Sequence, residues 1–254
     1  MARTTARLPE RAVVRSCQTR TGTNPYREEQ PVDSVHDMGG VAEHFGPLKP
    51  LNRDEPAFPE SWQGRAFAVT LLANRAATSS NLHAFRRALE RVPRETYLAD
   101  YYGRWLASAE ILLTDSGLLA PGAVEARAAN LRGGTVQEPA DPEPNKPTME
   151  TAGGGNLRTV EAPRSLAVGD RVRIKTDAPL GGHTRMPAYV RGHSGAVTAL
   201  RPAQVLPDSA AHFLGEAPEH VYSVEFDSHD LWGPGGEQFS LTIDMFESYL
   251  EAAS

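Results

Sequence analysis

Cysteine is nearly absent: the 254 residues contain one, Cys17. A single cysteine excludes a disulfide framework and any cysteine-rich metal site built by this chain alone. It also fits a reducing compartment. Long apolar runs are missing. No stretch approaches the ~20 residues of a membrane-spanning helix, so no membrane partner is expected. Basic charge is in deficit, with 26 Lys and Arg against 32 Asp and Glu for a formal net charge of −6. A nucleic-acid binder usually carries a basic stripe instead, so no nucleic-acid partner is expected either. What is present is ordinary for a folded chain: 40% hydrophobic and 23% charged residues, enough for a core. The 22 Gly and 20 Pro point to long connections between packed parts.

The pattern changes along the chain. Residues 1–31 repeat arginine (Arg3, Arg7, Arg11, Arg15, Arg20, Arg27) without apolar periodicity. With no apolar h-region they read as a disordered or misassigned extension, although an Arg- and Thr-rich start also fits a transit peptide. Residues 32–53, broken by Gly39-Gly40, Gly46-Pro47 and Pro50, read as an extended arm. Residues 54–132 read as helical. Trp62, Ala66, Val69 and Ala73 share one helical face, and Leu82, Phe85, Leu89 and Val92 another, after capping material at Ser79-Ser80-Asn81. Tyr97, Tyr101, Trp105, Ala109 and Leu112 form a third stripe that stops near Gly117, and Pro121 opens a fourth, short helix. Residues 133–164 have a linker's composition and mark a domain boundary. From 165 to 254 the period becomes two, as in Arg171–Lys175, Gly195–Leu200 and Val221–Phe226. The expected fold is therefore α+β: a helical N-terminal domain with an extended arm, then an SH3-like antiparallel β-barrel.

The usual self-contained chemistries fail. No histidines sit in an H-x-x-x-H or H-E-x-x-H pair, and His193, His212, His220 and His229 read as scattered surface residues of the β half. Gly153-Gly154-Gly155 is not followed by a Lys-Ser/Thr pair, and no G-x-S-x-G elbow occurs. What stands out is arginine set beside aromatics: Phe85-Arg86-Arg87, Tyr101-Tyr102-Gly103-Arg104-Trp105 and the turn Gly182-His183-Thr184-Arg185. On spacing alone Phe85 and Trp105 fit a core, and Arg86 fits a solvated helix charge.

Taken together, certain motifs resemble the nitrile hydratase β subunit. His36-Asp37-Met38-Gly39-Gly40, Phe45-Gly46-Pro47 and Asp54-Glu55-Pro56 are similar to the family's amino-terminal arm. Gly182-His183-Thr184-Arg185, Tyr189-Val190-Arg191-Gly192, Pro207-Asp208, Leu231-Trp232-Gly233 and the ending Phe246-Glu247 with Tyr249-Leu250 follow the family's order and spacing. Two departures stand out. Val32 occupies the position of the family's starting methionine, so it is expected to be the initiator, read from a GTG codon. Arg104 stands where the family often has His, which alters the polarity of the pocket.

The resemblance implies a hydro-lyase that converts nitriles to amides, working in the cytoplasm as an αβ heterodimer and often as α2β2. It implies that this chain binds no cofactor and no metal. A Co(III) or Fe(III) ion would be held by the α subunit in a Cys-x-x-Cys-Ser-Cys loop with two oxidised cysteines. Arg86 and Arg185 match the family arginines that hold those oxidised sulfurs, which suits a permanently charged planar fork of donors. Tyr101 matches a tyrosine that hydrogen-bonds the metal loop, and Leu82, Phe85 and Trp105 match positions lining the substrate channel. Glu90, one turn from Arg86, is placed to orient it. Rival readings are a subunit of thiocyanate hydrolase, whose halves are separate chains, and a non-catalytic metallochaperone or activator, which resembles the helical half alone.

Overall fold

The computed structural model describes residue 37 and residues 54–149, 155–177 and 182–253. The expectations placed on residues 1–31, on the start at Val32 and on the arm, Asp37 apart, lie outside the described residues. So does Cys17.

Helix α1 (Gln63–Thr78) buries Ala66, Thr70, Ala73 and Ala77 against α4 (Tyr101–Asp115). Val69, expected on that face, is 50% exposed. At 100° per residue it lies about 60° off the line of Ala66 and Ala73. The small side chains on that line allow a close, narrow contact that leaves the flank outside. Helix α2 (Leu82–Glu90) buries Ala84, Phe85, Ala88 and Leu89, close to the expected stripe. The third expected helix is two, α3 (Arg94–Ala99) and α4, because Asp100 adopts an extended backbone and its Oδ1 accepts the Gly103 N–H at 2.6 Å. An N-cap of this kind starts a helix rather than continuing one. Helix α5 is Ala123–Leu131. The following residues 133–149 carry no helix or strand, and the Asn145 N–H donates to the Ser116 carbonyl at 2.8 Å.

The second half is one antiparallel sheet. Strand β1 (Leu157–Arg158) and β2 (Arg171–Ile174) share one side of the long β3 (Ser194–Gln204), and β4 (Glu219–Asp227) takes the other. Strands β5 (Ser240–Phe246) and β6 (Leu250–Ala252) are the two ends of the order β5-β4-β3-β2-β6. Short helices α6 (Pro207–Ala210) and α7 (Ser228–Trp232) connect strands. Breaks in register on β3, between Val197 and Ala199 and between Arg201 and Gln204, bend the sheet. A 3-10 turn at Glu247–Tyr249 then carries the chain from β5 to the far edge, where β6 pairs with β2.

The expected SH3-like barrel is therefore corrected: the antiparallel sheet is there, but it does not close into a barrel. All three residues of β6 pair with β2, and among the described residues no ladder joins it to β5. The curved face is filled by side chains instead: Val172, Ile174, Tyr222, Phe226, Met245 and Tyr249 are all fully buried. Gly195 admits β4 to this core. A Cβ there would stand 2.6 Å from Val224 Cγ1 and 2.7 Å from the Glu225 carbonyl oxygen. The helical and sheet halves belong to one compact unit.

Candidate functional site

Asn81 builds one side of the site. Its Oδ1 caps α2 by accepting the N–H groups of His83 and Ala84 at 3.0 and 3.1 Å. Its Nδ2 donates to the Ala210 carbonyl at 2.8 Å, so the same side chain starts α2 and fastens it to α6 of the sheet half. The other side is the turn opened by Gly182, whose φ of +97° favours glycine. His183 and Thr184 then turn inward and Arg185 outward.

The two sides meet at His183, which is 3% exposed and places Nδ1 2.7 Å from Glu90 Oε1 of α2. The His83 ring lies 5.7 Å from the His183 ring. Burial, then the nearby His183 and Arg185, push the His83 imidazole down to about 4, against a hydrogen bond with Asn156. His83 is therefore neutral at pH 7. The Nε2 atoms of His83 and His183 are both buried with no hydrogen-bond partner among the described residues.

Behind the turn, the Tyr249 hydroxyl receives the Arg185 N–H at 3.2 Å and the Thr184 hydroxyl at 3.3 Å, and itself donates to Asp208 Oδ2. Asp208 is fully buried. Burial raises its carboxyl above the usual range, opposed by the hydrogen bonds of Tyr249 and Thr184 and by the charge of His183. Burial and the neighbouring Asp208 raise the Tyr249 hydroxyl as well. This tyrosine thus stays a hydrogen-bonding hydroxyl that fixes the backbone from which Arg185 projects.

Arg86 and Arg185 are both exposed, and neither guanidinium has a carboxylate partner among the described residues. Arg86 lies on the same side of α2 as His83 and Glu90, at i+3 and i−4 from them, so the helical and sheet halves each bring one arginine to this seam. Glu90 is directed to His183, not to orienting Arg86 as expected from spacing. Arg185 also lines a cavity of about 520 Å³ with Asp37, Thr184, Met186, Tyr189 and Phe246. Asp37 Oδ2 accepts the Ala188 N–H at 3.0 Å there.

Beyond the seam lies a run of aromatic rings. Phe85 meets Trp105 edge-on at 5.3 Å, and Tyr101 lies 5.9 Å from Trp105. Phe85 is buried, Trp105 half-buried and Tyr101 54% exposed. Leu82, expected with them, is half exposed at the first residue of α2 and takes no part in their core cluster. The Arg104 guanidinium lies 4.4 Å from the Tyr97 ring centre and 4.5 Å from that of Tyr101.

Sequence reasoning missed the His183–Glu90 contact, the neutral His83, and the Asp208–Tyr249 pair. It also read His220 as a surface residue, whereas this histidine is buried on β4 with Nε2 2.7 Å from the Ala162 carbonyl. The available signal was the polar run His183-Thr184-Arg185 after Gly182, in which the first two side chains are buried and the third is exposed. Among the described residues no group of three or more His, Cys, Asp and Glu could hold a metal ion. The exposed guanidiniums of Arg86 and Arg185 are planar donors of the kind that take an anionic group.

Known proteins match this chain over most of its length. The family model for the nitrile hydratase beta subunit, N-terminal, matches residues 32–153, and that for its C-terminal part matches residues 155–252. The chain is 34% identical to the low-molecular weight cobalt-containing nitrile hydratase subunit beta of Rhodococcus rhodochrous, over 86% of this chain and 99% of that protein. It is 35% identical to the nitrile hydratase subunit beta of Pseudomonas putida, over 87% of this chain and all of that one. Among solved structures, a recombinant apo thiocyanate hydrolase from Thiobacillus thioparus aligns with a TM-score of 0.33 and 35% identity, over 35% of this chain and 76% of its own. Both halves of the chain match in their family order, and the chain belongs to the nitrile hydratase beta-subunit family.

Proposed function

We propose that this chain is the non-metal-binding subunit of a cytoplasmic nitrile hydratase, paired with a metal-binding α subunit in a heterodimer that doubles to α2β2. The observation that carries the reading is the seam itself: Arg86 and Arg185, one from each half, are both exposed and lack carboxylate partners among the described residues. A guanidinium pair of this kind suits negatively charged oxygens, such as those of oxidised cysteines in a poorly solvated interface. Unpaired, such oxygens would be costly to bury. When present, a Co(III) or Fe(III) ion in the α subunit supplies Lewis-acid activation of the nitrile.

This chain's own part is orientation and exclusion of water. Arg86 and Arg185 hold the anionic groups of the partner loop, and the Tyr101 hydroxyl hydrogen-bonds the same loop. Leu82, Phe85 and Trp105 form an apolar wall against the substrate, whose polar end faces the metal. His183 and Tyr249 hold the turn beneath Arg185.

The test is conservative substitution in the assembled heterodimer. Arg86→Lys and Arg185→Lys keep the charge but lose the planar fork. Each is expected to lower turnover by about a hundredfold or more, the scale of losing an electrostatic donor at a reacting centre, while gel filtration still shows the heterodimer. Near-normal turnover in either variant would remove that arginine from the proposed role.

A further inference from the structure

Helix α2 carries Arg86, and it is tied to the sheet half at both of its ends. At the far end Glu90 Oε1 meets His183 Nδ1 at 2.7 Å. At the near end Asn81 Nδ2 donates to the Ala210 carbonyl of α6 at 2.8 Å. That carbonyl also takes the Phe213 N–H at 3.2 Å, which its two lone pairs allow. A rod held at one point can pivot, whereas a rod held at two keeps its axis. Arg86 lies between the two ties, five residues after Asn81 and four before Glu90.

The same short helix supports the second arginine. Asp208, two residues before Ala210 on α6, accepts from the Tyr249 hydroxyl, which receives the Arg185 N–H at 3.2 Å. All four residues of α6 are buried. One buried element is thus the reference for both guanidiniums, through Asn81 on one side and Tyr249 on the other. The chain before Asn81 is strained. Ser79 and Ser80 have φ of +58° and +69°, in the left-handed region that residues other than glycine seldom adopt. The Asn81 N–H closes this turn by donating to the Thr78 hydroxyl at 3.1 Å. Strain of this kind persists where the surroundings hold it, and it clusters at functional sites. We propose that Asn81 is a positioning residue: its side-chain N–H to Ala210 fixes Arg86 at a set distance from Arg185, so that both guanidiniums reach the anionic groups of the same partner loop. This rests on the reading of the two arginines given above.

The experiment uses the heterodimer co-expressed with its metal-binding subunit, and it separates the two jobs of Asn81. Asn81→Ser keeps a capping oxygen for the His83 and Ala84 N–H groups but has no donor that reaches Ala210. Two readouts are taken, hydrogen exchange of the peptide spanning α2 and turnover of propionitrile. Exchange in α2 is expected to rise by up to about tenfold, the scale of one hydrogen bond, with that of α1 unchanged. Turnover is expected to fall by about tenfold with Arg86 in place, the cost of misplacing a group at the reacting centre. In an Arg86→Lys background the same change is expected to cost less than about twofold, because Asn81 acts through that guanidinium. Asn81→Asp keeps the cap and turns a carboxylate oxygen toward the Ala210 carbonyl. It is expected to show the same pattern and serves if the Ser variant fails to assemble.

Equal fold losses in the two backgrounds would make Asn81 a residue of general stability and overturn the proposal. So would unchanged exchange in α2, or full turnover in both Asn81 variants. An Arg86→Lys variant with near-normal turnover, measured with Asn81 intact, would sink the reading of Arg86 itself and the proposal with it.

Discussion

The helical and sheet halves solve the burial problem differently. The sheet half has a core cluster of fifteen buried residues, including Tyr222, Phe226, Met245 and Tyr249. The cluster of the helical half has five, Ala77, Phe85, Ala88, Leu89 and Leu112. Several large apolar side chains of that half stand outside: Leu72 is 67% exposed, and Val69, Leu71, Leu98 and Tyr101 are about half exposed. The sheet half encloses the larger core, while the helical half carries more apolar surface of the kind that marks an interaction site. The proposed contact with a metal-binding partner would cover this surface.

Four measurements break or sharpen that contrast. The largest effect is expected from Phe226→Ala, which empties the middle of the larger core. It should cost about 3–5 kcal/mol of unfolding free energy in denaturant titration. Tyr249→Phe is smaller. It removes the donor to buried Asp208 and the acceptor for the Arg185 N–H, and is expected to cost about 1–3 kcal/mol. It should also lower turnover in the assembled enzyme, because the backbone under Arg185 is released.

His83 gives a pH signature at the seam. Unfolded, it takes its proton near 6.5; folded, it stays neutral down to about 4. Between those values the unfolded chain binds more protons, so stability falls as the pH drops through this window and rises with pH across it. The slope of Tm against pH from 4 to 6.5 should therefore flatten in His83→Asn relative to the wild type; parallel slopes would refute the assignment. The smallest effect belongs to Leu72→Ser. It should change the stability of the isolated chain by no more than about 0.5 kcal/mol and yet weaken assembly with the partner in a titration by calorimetry. A change confined to the isolated chain would end the contrast drawn between the halves.

Legibility followed the same division. Helix α2 and strand β2 were readable because each has one period and one buried side, as in the alternation of Arg171, Val172, Arg173 and Ile174, and β4 was readable from its β-branched and aromatic run although both of its faces are buried. Strand β5 carries the same alternation in Leu241, Ile243 and Met245, but the Gly- and Pro-rich run 233–236 just before it masks the pattern. The break at Asp100 was hidden because the aromatic stripe continues across it, and only the cap's backbone reveals it. The open sheet could not be read either. Closure depends on which edge β6 joins, and three residues carry no pattern that decides between β2 and β5.

The arginines and aromatics of the site stood out by their clustering in sequence. Their support did not, since Glu90 and His183 lie 93 residues apart, and Asp208 and Tyr249 lie 41 apart. Pairs at such separations exist only after the chain has folded.

The hydroxyl of Tyr249 has a bearing on how the protein is made. It receives the N–H of a residue translated 64 positions earlier, and it sits on the turn that delivers the last strand to β2. While the ribosome is still adding residues, Arg185 has its side chain but not its support. The site is therefore assembled last, from the end of the chain backwards. A chain cut short before residue 249 would carry both arginines, and only Arg86 would stand where the folded protein holds it.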